Sequence, residues 1–154
     1  MLIFLVGMPA TGKSSYGKIL AKKLDYPLWD LDNLIYKQEN KTIPEIFSEK
    51  GEVYFRKAEQ NALHNLIHLN KGVIATGGGT PCFFDNMAWM NHQGLTIHIF
   101  TPIQILVKRI LKDKQNKRPL FANKNEEELN QQLDVLFADR KKFYIQAKLQ
   151  ISFD

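Results

Sequence analysis

One cysteine, Cys82, stands among 154 residues, so no internal disulfide can form and a reducing cytoplasm is the expected compartment. Long apolar runs are missing too. No window approaches the ~20 residues that a membrane span needs, and the short apolar stretch after Met1 lacks the length and basic leader of a signal peptide. No tract rich in Pro, Gly or Ser, no repeat and no low-complexity run divides the chain, so a single domain over residues 1–154 is expected. His64 and His68 lie in HNLIH, without the glutamate of the zinc-binding H-E-x-x-H, and a solvated helix face is enough to account for them. Acidic charge is the scarcer sign, with 16 acidic against 21 basic residues and a net charge of +5. The excess is local. Between Lys108 and Lys124 stand seven basic residues and one acidic residue, Asp113, so the remainder is slightly acidic. That distribution excludes a basic stripe for nucleic acid and suits one small, phosphate-rich ligand.

What is present begins at the N-terminus. Leu2 to Val6 are all apolar and read as a buried parallel strand. Gly7-Met8-Pro9-Ala10-Thr11-Gly12-Lys13-Ser14 follows at once and fits G-x-x-x-x-G-K-[ST], the phosphate-binding loop. A helix should open at its end, with Tyr16, Ile19, Leu20 and Leu24 sharing one face. In that setting backbone N–H groups curl around a phosphate and the helix N-terminus adds partial positive charge. Lys13 reaches the outer phosphates, and Ser14 places a hydroxyl where Mg²⁺ between two phosphates would sit.

Pro27 to Asp30 give a second strand ending in Asp30-Leu31-Asp32. If the strand runs on, both carboxylates point toward the ligand crevice, one to hold Mg²⁺ through water and one to accept a substrate proton. The plain alternative is an acidic helix N-terminus. Helices are expected over Asn33–Glu39, Ile43–Lys50 (opened by Thr42 and ended by Gly51) and Glu52–Leu69. The last carries Arg56, Glu59 or Gln60, Leu63 and Ile67 on one stripe. That makes either an apolar-walled anion pocket with Phe47 and Phe55, or an intrahelical ion pair on a part-exposed face. The strand VIAT runs into Gly77-Gly78-Gly79, which lets backbone approach a ligand closely. A helix from Thr80 to about His92 and a strand over Leu95–Phe100 come next, with Cys82 read as structural.

The helix opened by Thr101-Pro102 ends in a basic segment, about 112–124, expected to be a mobile lid that brings Arg118 onto phosphates. A solvated charge run is the alternative. In the final long helix, Glu126–Ala147, Arg140 occupies a position where a hydrophobe belongs, either snorkelling outward or facing Arg56 as a second anion-binding arginine. The element order β-α-β-α-α-β-α-β-α-lid-α-β, closed by a strand at Leu149–Phe153, predicts a three-layer α/β/α sandwich on a five-stranded parallel sheet, of P-loop NTPase type.

Together these motifs resemble the shikimate kinase family, in the nucleoside-monophosphate-kinase-like branch of P-loop proteins. The ordered set is Asp30-x-Asp32, Ile43-x-x-Ile46-Phe47, Gly51-Glu52-x-x-Phe55-Arg56-x-x-Glu59, Thr76-Gly77-Gly78-Gly79, Arg118-Pro119-Leu120 and Arg140-x-x-x-Tyr144. The resemblance implies ATP held by Gly7, Pro9, Ala10, Thr11, Gly12, Lys13, Ser14 and Ser15, with Mg²⁺ at Ser14 and, through water, Asp30. It implies Arg109 on adenine and Arg118 on the transferring phosphate. Shikimate would sit among Asp32, Arg56, Gly77, Gly78, Gly79 and Arg140, with Asp32 as base and Glu59 bracing Arg56, so that Lys13, Asp32 and Arg118 form the catalytic set. Departures from the family are Ala10 in place of glycine, Ser15 in place of threonine, and Thr80-Pro81 after the glycines. Relatives run on past the fifth strand through an adenine-contacting loop and a final helix, so either that clamp is lacking or the sequence is truncated. A monomer is expected, with neither nucleic acid nor membrane as partner. The rival readings are a kinase of gluconate or another small hydroxy acid, and an ATP-binding relative without turnover.

Overall fold

The computed structural model describes residues 1–113 and 119–152. Strand β1 (Leu2–Val6) is buried along its whole length because both of its faces are covered. Leu2, Phe4 and Val6 enter one apolar cluster, whereas Ile3 and Leu5 enter another, as the two-residue period of a strand requires. Strands β3 (Gly72–Ala75) and β4 (Gly94–Phe100) flank it. Outside them lie β2 (Leu28–Asp30) and β5 (Leu149–Ser152). Every pairing is parallel and the order is β2-β3-β1-β4-β5. The α/β architecture anticipated from the element order is therefore the one observed.

Register positions the site. Ala75 pairs with both Leu5 of β1 and Asp30 of β2, so three strands deliver their carboxyl ends at one level. The order also reverses at β1, whose neighbours are β3 on one side and β4 on the other. A crevice at the carboxyl ends beside such a switch point is where open α/β sheets bind ligands.

Helix α1 (Lys13–Leu24) packs on the sheet through Lys13, Gly17 and Ala21, whereas Ile19 and Leu24 are exposed. The apolar face expected from Tyr16, Ile19, Leu20 and Leu24 is thus rotated. Close approach decides it, since a Cβ on Gly17 would stand 3.0 Å from Leu28 Cδ1 and 3.3 Å from Leu5 Cδ1. Helix α2 (Leu31–Glu39) starts directly after β2, with the Asp30 side chain accepting the Asn33 N–H at 3.3 Å. The strand does not run on through Asp32, which sits instead in the first turn of α2.

Helix α3 (Ile43–His64) opens on a capping box of Thr42 and Glu45 and breaks at Gly51, where φ is 84°, as the sequence suggested. After His64 it tightens into a 3₁₀ turn (Asn65–His68), which changes the phase. Leu66 is consequently buried and Ile67 exposed. His64 is not on a solvated face; it stacks on Trp89 with centroids 4.5 Å apart. The helix expected from Thr80 is split into a 3₁₀ turn (Thr80–Cys82) and α4 (Asn86–Gln93). Phe83 is extended and Phe84 has φ 52° between them. Helices α5 (Ile103–Lys112) and α6 (Glu126–Tyr144) complete the fold. In the basic segment Phe121 is buried in the main core, which anchors that end of the stretch; residues 114–118, with the expected lid arginine Arg118, lie outside the described residues.

Candidate active site

The loop after β1 is shaped by backbone. Gly7, Ala10 and Gly12 take φ values of 151°, 65° and 90°, and the last directly precedes α1. Ala10 bears a left-handed conformation that costs a non-glycine residue about 1 kcal/mol. Lys13 is nearly buried, and its Nζ donates to the carbonyl oxygens of Gly7 at 2.7 Å and Met8 at 2.8 Å. The ammonium therefore lies over the curled loop, where an anion held by the amides would meet it. Arg109, on α5, donates from Nη1 to the Ala10 carbonyl at 2.9 Å and closes one shoulder of the loop. A cleft of about 690 Å³ spans Pro9 to Tyr16, Asp30, Asp32, Thr76 to Gly78, Arg109 and Asp113, a size suited to a nucleotide and a small acceptor.

Ser14 Oγ donates to Asp30 Oδ2 at 2.9 Å. Two hard oxygen donors thus stand together at the phosphate end of the cleft, a set that fits Mg²⁺ completed by phosphate oxygens and water. Ser15 is exposed on the next position of α1.

Opposite the loop, three consecutive glycines serve as a floor. A Cβ on Gly77 would come 3.4 Å from Asp32 Oδ1; on Gly78, 2.9 Å from Arg140 Nη1 and 2.9 Å from Pro9 Cδ; on Gly79, 2.6 Å from Arg56 Nη1. One carboxylate and two guanidinium groups, carried by α2, α6 and α3, therefore rest against successive residues of one backbone segment. Gly78 is where this cluster touches the phosphate loop. The two arginines unexplained as core residues in the sequence are brought together here.

Arg56 is held firmly. Its Nη1 donates to Glu59 Oε1 at 3.0 Å, and Phe83 lies under the guanidinium with its centroid 4.0 Å from Cζ. Its Nε is buried without a hydrogen-bond partner among the described residues and stands 3.6 Å from Glu52 Oε1. Glu59 is buried to 1% exposure. Burial pushes its pKa up, while the Arg56 charge and the hydrogen bonds from Thr80 and Arg56 oppose that rise. Tyr144 holds the floor from below, donating to the Gly78 carbonyl at 2.6 Å. Its ring stacks on His98 of β4 at 5.1 Å. Burial raises the Cys82 thiol to about 11, which keeps it protonated and fits a structural role.

The strand ends were expected to gather the phosphate loop, Asp30, Asp32 and Gly77–Gly79, and the family resemblance added Arg56, Glu59 and Arg140; the structure brings Asp32, Arg56, Glu59 and Arg140 against those glycines. Sequence reasoning missed Phe83 and the tie from Tyr144 to Gly78. Phe83 carried no local signal; it reaches Arg56 from an extended residue between the 3₁₀ turn and α4. Tyr144 had one: four residues beyond Arg140, it shares that face of α6.

Parallel strand order, a phosphate-binding loop at the switch point and two arginines gathered on the glycines beside it place the chain among the P-loop kinases of small molecules. The shikimate kinase family model matches residues 9–153. A shikimate kinase of Bacteroides thetaiotaomicron is 40% identical over 152 residues, covering 99% of this chain and 86% of that one. One from Bacteroides fragilis is 42% identical over 145 residues, covering 94% and 80%. The chain belongs to the shikimate kinase family. Among solved structures, the B. thetaiotaomicron enzyme superposes with a TM-score of 0.94 at 39% identity, covering 99% of this chain and 86% of that one. Shikimate kinase from Acinetobacter baumannii in complex with shikimate gives 0.89 at 32% identity, covering 99% and 83%. A gluconokinase from Sinorhizobium meliloti, at 16% identity and TM-score 0.59, shares the fold alone.

Proposed function

We propose that this chain transfers the γ-phosphate of ATP to the 3-hydroxyl of shikimate, a step of aromatic amino-acid (chorismate) biosynthesis. The observation that carries the reading is the seating of Arg56 and Arg140 against Gly79 and Gly78, with Asp32 against Gly77. Two guanidinium groups can take the acceptor's carboxylate by charge-assisted, planar hydrogen bonds. Asp32, at the other end of the floor, is set to orient the hydroxyls and accept the 3-hydroxyl proton as its oxygen attacks the γ-phosphorus. As the new O–P bond forms, the bond to the β-phosphate oxygen breaks and ADP leaves.

The protein's part in such a reaction is positioning and charge stabilisation. The loop amides from Gly7 to Ser15 hold the phosphates, and Lys13 neutralises charge that grows on them. Arg109 lies against the loop shoulder, where the nucleotide's base would extend. Ser14 and Asp30 would hold Mg²⁺, which supplies further charge neutralisation between the phosphates. Arg118, outside the described residues, enters as the lid arginine on its sequence motif. A single domain acting as a cytoplasmic monomer belongs to the same proposal, supported by the uninterrupted sequence and the lone cysteine. No described helix is long and apolar enough to cross a membrane. The local basic excess favours a small anion over nucleic acid.

The test is ADP release with ATP and Mg²⁺ over a panel of hydroxy acids that includes shikimate and gluconate. Turnover with shikimate is expected to dominate. Preference for gluconate, or binding of both substrates without phosphate transfer, would displace this reading.

A further inference from the structure

Thr80 has no place in the reading above, yet it is fully buried beneath the glycine floor. Its Oγ1 accepts the Gly77 N–H at 2.9 Å and donates its single proton to Glu59 Oε2 at 2.8 Å. The other Glu59 oxygen, Oε1, accepts from Arg56 Nη1 at 3.0 Å. One continuous chain of hydrogen bonds thus runs from floor backbone through Thr80 and Glu59 to the guanidinium. The buried Asn86 side chain fixes the start of this chain by donating from Nδ2 to the Thr80 carbonyl at 2.9 Å. A hydroxyl has one proton to give, so its direction here is set: accepting from Gly77, it must donate to Glu59.

We propose that Thr80 is a positioning residue for the acceptor pocket, its hydroxyl locking the Glu59 carboxylate so that Arg56 presents its fork to the substrate carboxylate. The inference deepens the shikimate reading and rests on it. A carboxylate with both oxygens occupied cannot rotate, and a guanidinium braced at Nη1 and backed by Phe83 is held with its Nη1 and Nη2 ends against Gly79. A Thr80 that merely closed the turn after Gly79 would contribute to stability and leave the substrates untouched.

Loss of the hydroxyl should therefore separate the two substrates. Thr80→Val keeps the shape and removes the donor; the KM for shikimate is expected to rise on the order of tenfold, with the KM for ATP and kcat changed little. Thr80→Ser should restore the KM. Glu59 is faced by Arg56 on its own helix, by Asp32 from α2, and by Thr80 and Cys82 from the 3₁₀ turn. Without the Thr80 donor, burial is less opposed, so the rise of shikimate KM on acidification should begin at a higher pH in Thr80→Val than in wild type. Glu59→Gln probes the same chain from its other end, and adding Thr80→Val to it should raise the KM no further. If Thr80→Val folds poorly, Thr80→Ala removes the same donor with less bulk and should give the same split between the two substrates.

Shikimate titration of the wild type, read by calorimetry, separates the two readings. A wild type that neither binds nor phosphorylates shikimate overturns both. A wild type that does, combined with an unchanged shikimate KM in Thr80→Val or with equal effects on both substrates, overturns the role of Thr80 alone.

Discussion

Residues 7–14 and the cluster around Gly77–Gly79 present polar groups to the cleft end of the sheet by different means. The loop uses eight consecutive residues, and what it presents is main chain shaped by positive φ at Gly7, Ala10 and Gly12. The cluster uses side chains from α2, α3, the 3₁₀ turn and α6 resting on three glycines. A backbone site is carried by local conformation and works for any nucleoside triphosphate. A side-chain site depends on packing between distant segments and can select one acceptor. Substitutions should accordingly act on turnover or on the fold in the first region, and on the acceptor KM in the second.

The largest expected effect is in the loop. Lys13→Ala should lower kcat on the order of 10²–10³-fold while shikimate titration still shows binding; loss of shikimate binding in this variant would erase the separation between the regions. In the cluster, Arg56→Lys replaces a fork by a point charge. The cost of a charge-assisted hydrogen bond, about 1.5–3 kcal/mol, corresponds to a shikimate KM raised about ten- to a hundredfold, with kcat nearly kept in steady-state assays.

The same substitution should then have opposite consequences in the two regions. Gly7→Ala forces a Cβ to 2.5 Å from the Ile99 carbonyl oxygen at φ 151°, so unfolding titrations should show at least about 1–3 kcal/mol of lost stability. Gly79→Ala has an ordinary backbone, φ −91°, and its Cβ would press on the Arg56 guanidinium. It should lose less stability than Gly7→Ala, and its shikimate KM should rise. Equal melting temperatures for the two variants would remove the distinction.

The smallest effect joins the regions. His98 stacks on Tyr144, which holds the Gly78 carbonyl, and its Cδ2 would stand 3.6 Å from a Cβ on Gly7. Burial lowers its pKa below the usual 6.5; the Lys13 charge adds to that, and the hydrogen bond to Gln150 opposes it. Between the lowered value and 6.5 the unfolded chain binds more protons than the native one, so stability falls as pH drops through that window. Melting temperature against pH should be less steep for His98→Gln than for wild type; parallel curves would acquit His98.

Much of this molecule is legible because its physics is local. The apolar pentapeptide before Gly7, the glycine spacing of the loop and the capping box at Thr42 each act within a few residues, so strand, loop and helix follow from pattern alone. The misplaced polarity of Arg56 and Arg140 was legible for a related reason, since each interrupts an apolar helical stripe. What failed was geometry set by neighbours. The face of α1 was misjudged because Gly17 and Ala21 pack by smallness, which hydrophobicity does not register. The helix after Gly79 was drawn too long because nothing local reports that Phe83 is wanted beneath Arg56.

Pattern along the chain is enough to specify a parallel α/β fold, a nucleotide-binding loop at the end of its first strand, and a set of charged residues too costly to bury without purpose. That Asp32, Arg140 and Arg56 fall on consecutive glycines, and that Thr80 ties this floor to Glu59, comes from packing between distant segments. The reason is range. Backbone conformation is chosen by adjacent residues, but the meeting of residues 32, 56, 80 and 140 depends on strand register and helix packing, which every part of the core helps to set.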